Sequence, residues 1–94
     1  MLQINDTVKI INVGNYYPTH KTAAEKMKAT KWRTNVAPQK GEKGTIVNMY
    51  IDNLGFKLYL VDLGKDEIIL NARGIEKIKE WDDEVNRQTI KQNS

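Results

Sequence analysis

Two glycines three residues apart, followed directly by β-branched residues, constrain the fold of this chain more than any other stretch. Gly41 and Gly44 lie within residues 38–47, and Thr45, Ile46 and Val47 come directly after the second glycine. Glycine adopts positive φ without steric cost, whereas β-branched side chains fit the pleated surface of a sheet. The pattern therefore predicts a tight turn that starts a β-strand.

Size and composition predict one soluble globular domain. The chain has 94 residues, of which 29% are charged and 39% hydrophobic, within the usual range for a single domain. It has no cysteine, so disulfides, thiolate chemistry and cysteine-ligated metal sites are excluded. No apolar run approaches the roughly 18 residues of a membrane span, and residues 1–6 do not begin like a signal peptide. We expect a cytoplasmic protein with no membrane contact.

The positive charge of the chain is concentrated in its first half. The net charge is +3, and residues 1–40 carry seven basic and two acidic residues. Each of the segments 41–78 and 79–94 has one acidic residue more than it has basic residues. A basic segment attracts a phosphate backbone or an acidic partner. The alternative is a lysine-rich helix face that is simply solvated.

Five short strands are predicted, the first from the alternation of apolar and polar residues and the others from short runs bounded by turn signals. The predicted strands cover residues 6–14, 45–51, 56–63, 67–70 and 75–78. In the second strand both faces carry apolar residues, so either Ile46 or Val47 with Met49 faces the core, and a β-bulge would reconcile the two. Residues 52–55 and 64–66 are predicted turns, and residues 71–74 a single helical turn.

Residues 15–37 interrupt the strand pattern and predict a short helix. Thr19 or Thr22 is the expected N-cap, and Thr22 and Glu25 have the spacing of a capping box. The apolar residues Ala23, Ala24 and Met27 form a narrow stripe, which predicts a helix that lies on the domain.

The predicted architecture is mainly β: a single five-stranded barrel with a short helical insertion between strands one and two. Closure of the barrel would remove exposed strand edges. The predicted domain covers residues 1–80, with the insertion at 15–37. Residues 81–94 are a polar tail that we expect to be partly disordered, although Trp81 and Val85 have the spacing to cover one end of the barrel.

Two segments resemble the KOW motif of SH3-like barrels: NDTVKI at residues 5–10 and KGEKGTIV at residues 40–47. In that family a strand of pattern Gly-Asp-x-Val-x-Val leads through a short loop into Gly-x-x-Gly-x-Val. Residues 59–62 and 74–78 are similar to the last strands of such barrels. The family occurs in ribosomal proteins and NusG-type transcription factors, so the resemblance implies a barrel that binds RNA or a protein.

This chain departs from the KOW pattern at two places. Asn5 replaces the first glycine of the motif, and residues 15–37 replace the short loop, which often contributes to the contacts of the family. The YYPT sequence at residues 16–19 is also similar to small uncharacterised phage-encoded proteins, a likeness that implies no function.

No set of residues has the pattern of a catalytic or metal site. His20 is the only histidine, and no carboxylate is closer to it in sequence than Glu25, so we expect an exposed residue at a helix start. The carboxylates at 66–67 and 82–84 are adjacent and diverge into solvent. Residues 41–44 lack the longer glycine loop, the Lys-Ser/Thr pair and the following helix of a P-loop. We predict a non-enzymatic protein without a metal, a cofactor or a small-molecule substrate.

The best candidate for function is the insertion, in which aromatic and basic residues are mixed. The predicted binding residues are Tyr16, Tyr17, Lys21, Lys26, Lys28, Lys31, Trp32, Arg33, Lys40 and Lys43. Basic side chains neutralise phosphates, and aromatic rings stack on unpaired bases at roughly 1–3 kcal/mol each. This mixture predicts weak, largely non-specific binding of RNA or single-stranded DNA.

Two alternatives remain open. The first is a protein–protein adaptor, such as a phage factor that docks on host machinery through the same helix. The second is that Tyr17, Met27 and Trp32 only anchor the helix to the barrel. The lysines do not all share one helix face, because Lys21, Lys28 and Lys31 group together whereas Lys26 and Arg33 point elsewhere.

Overall fold

The computed structural model describes residues 1–35 and 37–78. The strands are β1 (Thr7–Ile10), β2 (Lys43–Ile51), β3 (Lys57–Asp62), β4 (Glu67–Asn71) and β5 (Ile75–Lys77). A 3-10 turn (Val13–Asn15) and one helix, α1 (Lys21–Lys26), lie between β1 and β2. The predicted tail at residues 81–94, including Trp81 and Val85, lies outside the described residues.

The five strands form one antiparallel sheet in the order β4-β3-β2-β1-β5. The prediction of a mainly β chain with five strands and a short helix between strands one and two is confirmed. The prediction of a closed barrel is not: the sheet is open, and β4 and β5 are its two edges. One physical reason is that backbone groups on the outer edge of β4 are hydrogen-bonded to the insertion. These groups are therefore not available to pair with β5.

Backbone segments on both sides of α1 cover this edge of β4. The Tyr17 N–H donates to the Ile69 carbonyl at 2.8 Å. Further along, the Glu67 N–H donates to the Lys31 carbonyl at 2.9 Å and the Arg33 N–H to the Glu67 carbonyl at 2.8 Å. Because unpaired strand edges promote association with other chains, the insertion protects β4 as well as connecting two strands.

The β3–β4 part of the sheet is buried on both faces. One face carries a cluster to which all five strands contribute: Val8, Ile10, Ile46, Tyr59, Val61, Ile68, Leu70 and Ile75. On the other face the helix packs against the sheet through Ala23, Ala24, Met27, Leu58, Leu60 and Ile69. The consecutive buried residues of β3 and β4 reflect this two-sided burial, which is typical of strands covered on both faces.

The glycine turn has the predicted form. Gly41 has a φ of +96°, and its N–H donates to the Ile10 carbonyl at 2.8 Å. Gly44 is needed for a different reason: a Cβ there would lie 2.5 Å from the Asp62 carbonyl oxygen of β3. The first glycine makes the turn and the second allows two strands to approach each other closely.

A β-bulge in β2 explains why both of its faces are apolar in sequence. Ile46 is opposite Val61, whereas Asn48 is opposite Leu60, so Val47 is an extra residue in the ladder. Ile46 therefore faces the five-stranded cluster, and Asn48 faces the helix.

Three local predictions differ from the structure. The N-cap of α1 is His20, not Thr19 or Thr22. The first strand ends at Ile10 because Asn12 caps the 3-10 turn by accepting the Gly14 N–H. Residues 71–74 form a turn closed by a hydrogen bond from the Gly74 N–H to the Asn71 carbonyl, in place of the predicted helical turn.

Candidate binding surfaces

The three predicted aromatic residues of the insertion are all partly buried. Tyr16 packs against the five-stranded cluster, and Tyr17 and Trp32 pack against the cluster around α1. These contacts support the interpretation in which the rings anchor the insertion to the sheet. Stacking of unpaired bases needs an exposed ring face.

Two of the predicted cations are paired with carboxylates. The Lys31 Nζ lies 3.1 Å from Asp62 Oδ1 and also donates to the Gly64 carbonyl at 2.8 Å. The Arg33 Nε lies 3.0 Å from Asp66 Oδ2, and its side chain is only 12% exposed. A hydrogen bond from the Gly64 N–H and one from Lys31 lower the pKa of Asp62 below its usual value. Lys31 and Arg33 therefore hold the insertion to the β3–β4 turn.

The other predicted basic residues are exposed but lie in two separate places. Lys21, Lys26 and Lys28 are on or directly after α1, whereas Lys40 and Lys43 flank the glycine turn. The helix contacts the far half of β2, where Asn48 Nδ2 donates to the Met27 carbonyl at 3.0 Å. The structure therefore does not bring the basic residues into one patch.

His20 has a structural role at the start of α1. Its Nδ1 accepts the Ala23 N–H at 3.1 Å. Its ring stands edge-on to Tyr17 and Tyr50, at centroid distances of 6.4 and 6.0 Å. Within residues 1–35 and 37–78 no group of three or more histidine, aspartate or glutamate side chains has the arrangement of a metal site.

Glu67 is a buried carboxylate that sequence reasoning passed over as solvated. It is 6% exposed, and its Oε1 accepts the Thr30 N–H at 2.8 Å and the Lys31 N–H at 2.7 Å. The carboxylate satisfies backbone donors of the loop that follows α1, which is how buried polar groups are normally accommodated. Its contacts are structural.

Large apolar side chains are exposed near the tip of the β2–β3 hairpin. We define the hairpin patch as Met49, Ile51, Leu54 and Phe56, which are 37%, 52%, 81% and 62% exposed. Asp52 Oδ1 accepts the Leu54 and Phe56 N–H groups at 2.9 Å, so the turn itself is well ordered by hydrogen bonds. A large apolar residue in a predicted turn, Leu54, is the sequence signal that would have indicated this surface, because turns are ordinarily polar.

A cleft of about 580 Å³ opens between the β2–β3 turn and the β4–β5 turn. Its lining includes Asn15, Tyr17, Phe56, Lys57, Asn71 and Arg73. Of these six residues, sequence reasoning selected only Tyr17. The others come from parts of the chain that become neighbours only through the strand order.

Comparison of the chain with protein-family models, with curated proteins and with solved structures gives no match. None of the helices in the described residues is long and apolar enough to cross a membrane.

Proposed function

We propose that the chain is a non-enzymatic protein-binding module and that the hairpin patch is its contact surface. The observation that supports this proposal is the exposure of Leu54 and Phe56, at 81% and 62%, in a turn that hydrogen bonds keep in place. Contiguous exposed apolar side chains on a small soluble domain are typical of interaction sites. A turn that is already ordered loses little entropy when it binds.

We also propose that the sheet is an open variant of the SH3-like, KOW-like barrel. Two observations support this assignment: the first and last strands pair with each other, and all five strands contribute to one cluster on a single face. In this variant the insertion, rather than a further strand pairing, covers the edge of β4.

The partner we propose has apolar anchor residues next to carboxylates. The apolar part matches the hairpin patch, and Lys57 lies directly opposite Ile51 in the ladder. A carboxylate that flanks the anchor would meet this exposed ammonium group.

Selection from a random peptide library on the immobilised protein tests the proposal. We expect enriched peptides that combine large apolar residues with Asp or Glu, and amide shifts on labelled protein that map to residues 49–57. Leu54→Asp should abolish their binding, whereas Lys65→Glu, a charge change in the exposed β3–β4 turn, should not. Peptides that bind both variants equally well would show that the patch is not the site.

Weak nucleic-acid binding through α1 is a second proposal. It is supported by Lys21, Lys26 and Lys28, which are exposed and make no ion pair with a described residue. Titration with oligo(U) and oligo(dT) at low and at physiological salt tests it, because phosphate contacts weaken steeply as salt rises. The variant with both Lys21→Glu and Lys26→Glu should lose the binding, with Lys65→Glu as the control. Binding that this double variant leaves unchanged would exclude α1 as the site.

A further inference from the structure

The cleft between the two turns is lined by hydrogen-bond donors and lacks acidic groups. Lys57 and Arg73 are both exposed, and neither forms an ion pair with a residue that the structure describes. No aspartate or glutamate lines the cleft. This distribution favours an anionic ligand, because the lining carries two cations and no counter-charge.

Tyr17 adds a third donor. Its hydroxyl oxygen accepts a hydrogen bond from Asn71 Nδ2 at 2.9 Å, so its own hydrogen remains available for donation. The Asn71 side chain is itself fully engaged, since Nδ2 also donates to Asn15 Oδ1 at 3.1 Å and Oδ1 accepts the Arg73 N–H at 2.8 Å. This network fixes the Tyr17 hydroxyl at the cleft and ties down the backbone that carries Arg73.

An exposed aromatic ring stands at the rim of the same cleft. Phe56 is 62% exposed, and its backbone is held by two hydrogen bonds with Asp52, one in each direction. An exposed ring next to two cationic donors matches a ligand that carries both a planar ring and an oxyanion.

We propose that this cleft binds a nucleoside monophosphate unit. Arg73, Lys57 and the Tyr17 hydroxyl hold the phosphate, and the base stacks on Phe56. The unit is either a free mononucleotide or the phosphorylated end of a single strand, since both present the same chemistry. This site overlaps the proposed protein contact at Phe56 and Lys57, whereas Tyr17 and Arg73 belong to the cleft alone.

Titration of the labelled full chain with AMP and with UMP, followed by amide shifts, tests the proposal. We expect shifts that centre on Phe56, Lys57 and Arg73. Adenosine, which lacks the phosphate, and inorganic phosphate, which lacks the ring, should each bind at least about tenfold more weakly than AMP, because each loses one of the two contacts. A 5′-phosphorylated oligonucleotide that binds more tightly than AMP would identify a strand end as the source, and equal affinity would identify the free nucleotide.

Substitutions separate this site from the others. Arg73→Glu should weaken AMP binding by at least about tenfold, the effect of losing a charge-assisted contact. Lys65→Glu makes the same charge change outside the cleft and should leave the affinity unchanged. The proposal is overturned if AMP produces no shifts in this region at millimolar concentration, or if Arg73→Glu and Lys65→Glu have the same effect.

Discussion

At the scale of single residues, the two ends of α1 show how a six-residue helix is stabilised. His20 caps the first turn with Nδ1. At the other end Lys28 has a φ of +56°, and the Lys28 and Ala29 N–H groups donate to the Glu25 and Ala24 carbonyls. These two bonds form a Schellman motif, in which the residue after the C-cap is usually glycine. This arrangement ends the helix at Lys26 although the residues that follow favour helix.

Replacing Lys28 with glycine should therefore stabilise the protein. A left-handed conformation costs a non-glycine residue roughly 1–2 kcal/mol, and the extra freedom of glycine in the unfolded chain offsets part of the gain. We expect the free energy of unfolding, measured with urea, to rise by about 0.5 kcal/mol. The control is Lys26→Gly inside the helix, which should lower it by about 0.8 kcal/mol. Loss of stability in both variants would contradict the assignment of the motif.

Asp62 should make the stability depend on pH. Its pKa is lowered in the folded protein, first by the Gly64 N–H and then by Lys31, so its charged form stabilises the fold above the ordinary pKa of about 3.9. At pH 7 we expect Asp62→Asn to be less stable by about 0.2–1 kcal/mol, the range of a solvent-screened ion pair. The difference from the unchanged protein should disappear as the pH falls from about 4 through the lowered pKa. Urea unfolding of both proteins at several pH values measures it, and a difference that stays constant down to pH 2 would contradict the mechanism.

At the scale of elements, β2 connects the two halves of the sheet. It pairs with β1 through residues 43–45 and with β3 through residues 45–51. The bulge at Val47 places Ile46 on the face of the five-stranded cluster and Asn48 on the face that the helix covers. Because Gly44 has no Cβ, β2 can lie close to the Asp62 carbonyl oxygen of β3.

Alanine at the two glycines of the turn should have different costs. At Gly44 the new Cβ would overlap the Asp62 carbonyl oxygen, and backbone cannot move aside as a side chain can. We expect Gly44→Ala to lower the free energy of unfolding by about 3 kcal/mol. The Cβ of alanine at position 41 would have no atom within 4 Å. Gly41→Ala should therefore lower the free energy of unfolding by only about 1 kcal/mol, the cost of a positive φ. Equal losses in chemical denaturation would indicate that the strands do not approach as closely as described.

Glu67 attaches the loop after α1 to β4, and its substitutions should separate hydrogen bonding from charge. Glu67→Gln keeps an acceptor oxygen for the Thr30 and Lys31 N–H groups, so we expect a loss of about 1 kcal/mol. Glu67→Ala leaves both buried donors without an acceptor and should cost about 3 kcal/mol. Urea denaturation of the two variants gives the comparison, and similar losses would mean that the two hydrogen bonds contribute little.

At the scale of the whole molecule, the insertion is an integral part of the fold. It supplies one side of the second core, at Ala23, Ala24 and Met27, and it covers the outer edge of β4. The chain ends that it joins are near each other, because Gly41 donates to the Ile10 carbonyl. A short loop could therefore connect β1 to β2, as in the KOW pattern.

Replacing residues 15–37 with a short Gly-Ser loop tests this role. The replacement would expose Leu58, Leu60 and Ile69 together with the β4 edge, so we expect a protein that aggregates or fails to fold. Size-exclusion chromatography and an amide spectrum measure the outcome. The full-length variant with Lys21→Glu and Lys26→Glu is the control and should remain folded, with the elution volume of the unchanged protein. A soluble monomer with an intact sheet after the replacement would show that the insertion is only an addition to a complete domain.

The sequence by itself determined the local elements of this protein. Short strand-forming runs between turn signals located all five strands, and the Gly41–Gly44 spacing located the turn that starts β2, because both depend on neighbours in sequence. The position of the helix followed from Ala23, Ala24 and Met27 for the same reason. Its N-cap did not, because His20 also depends on contacts with Tyr17 and Tyr50, which are contributed by other parts of the fold.

Only the tertiary structure decided the openness of the sheet and the position of the candidate sites. Whether two edges close depends on what covers them, and here backbone groups of residues 17–33 bond to β4. The same folding partly buries the aromatic rings that looked available for binding, and it pairs Lys31 and Arg33 with carboxylates. It also brings Phe56 and Arg73 to one cleft, although they are far apart in sequence. Burial and charge pairing are properties of neighbours in space, and a sequence pattern records only neighbours along the chain.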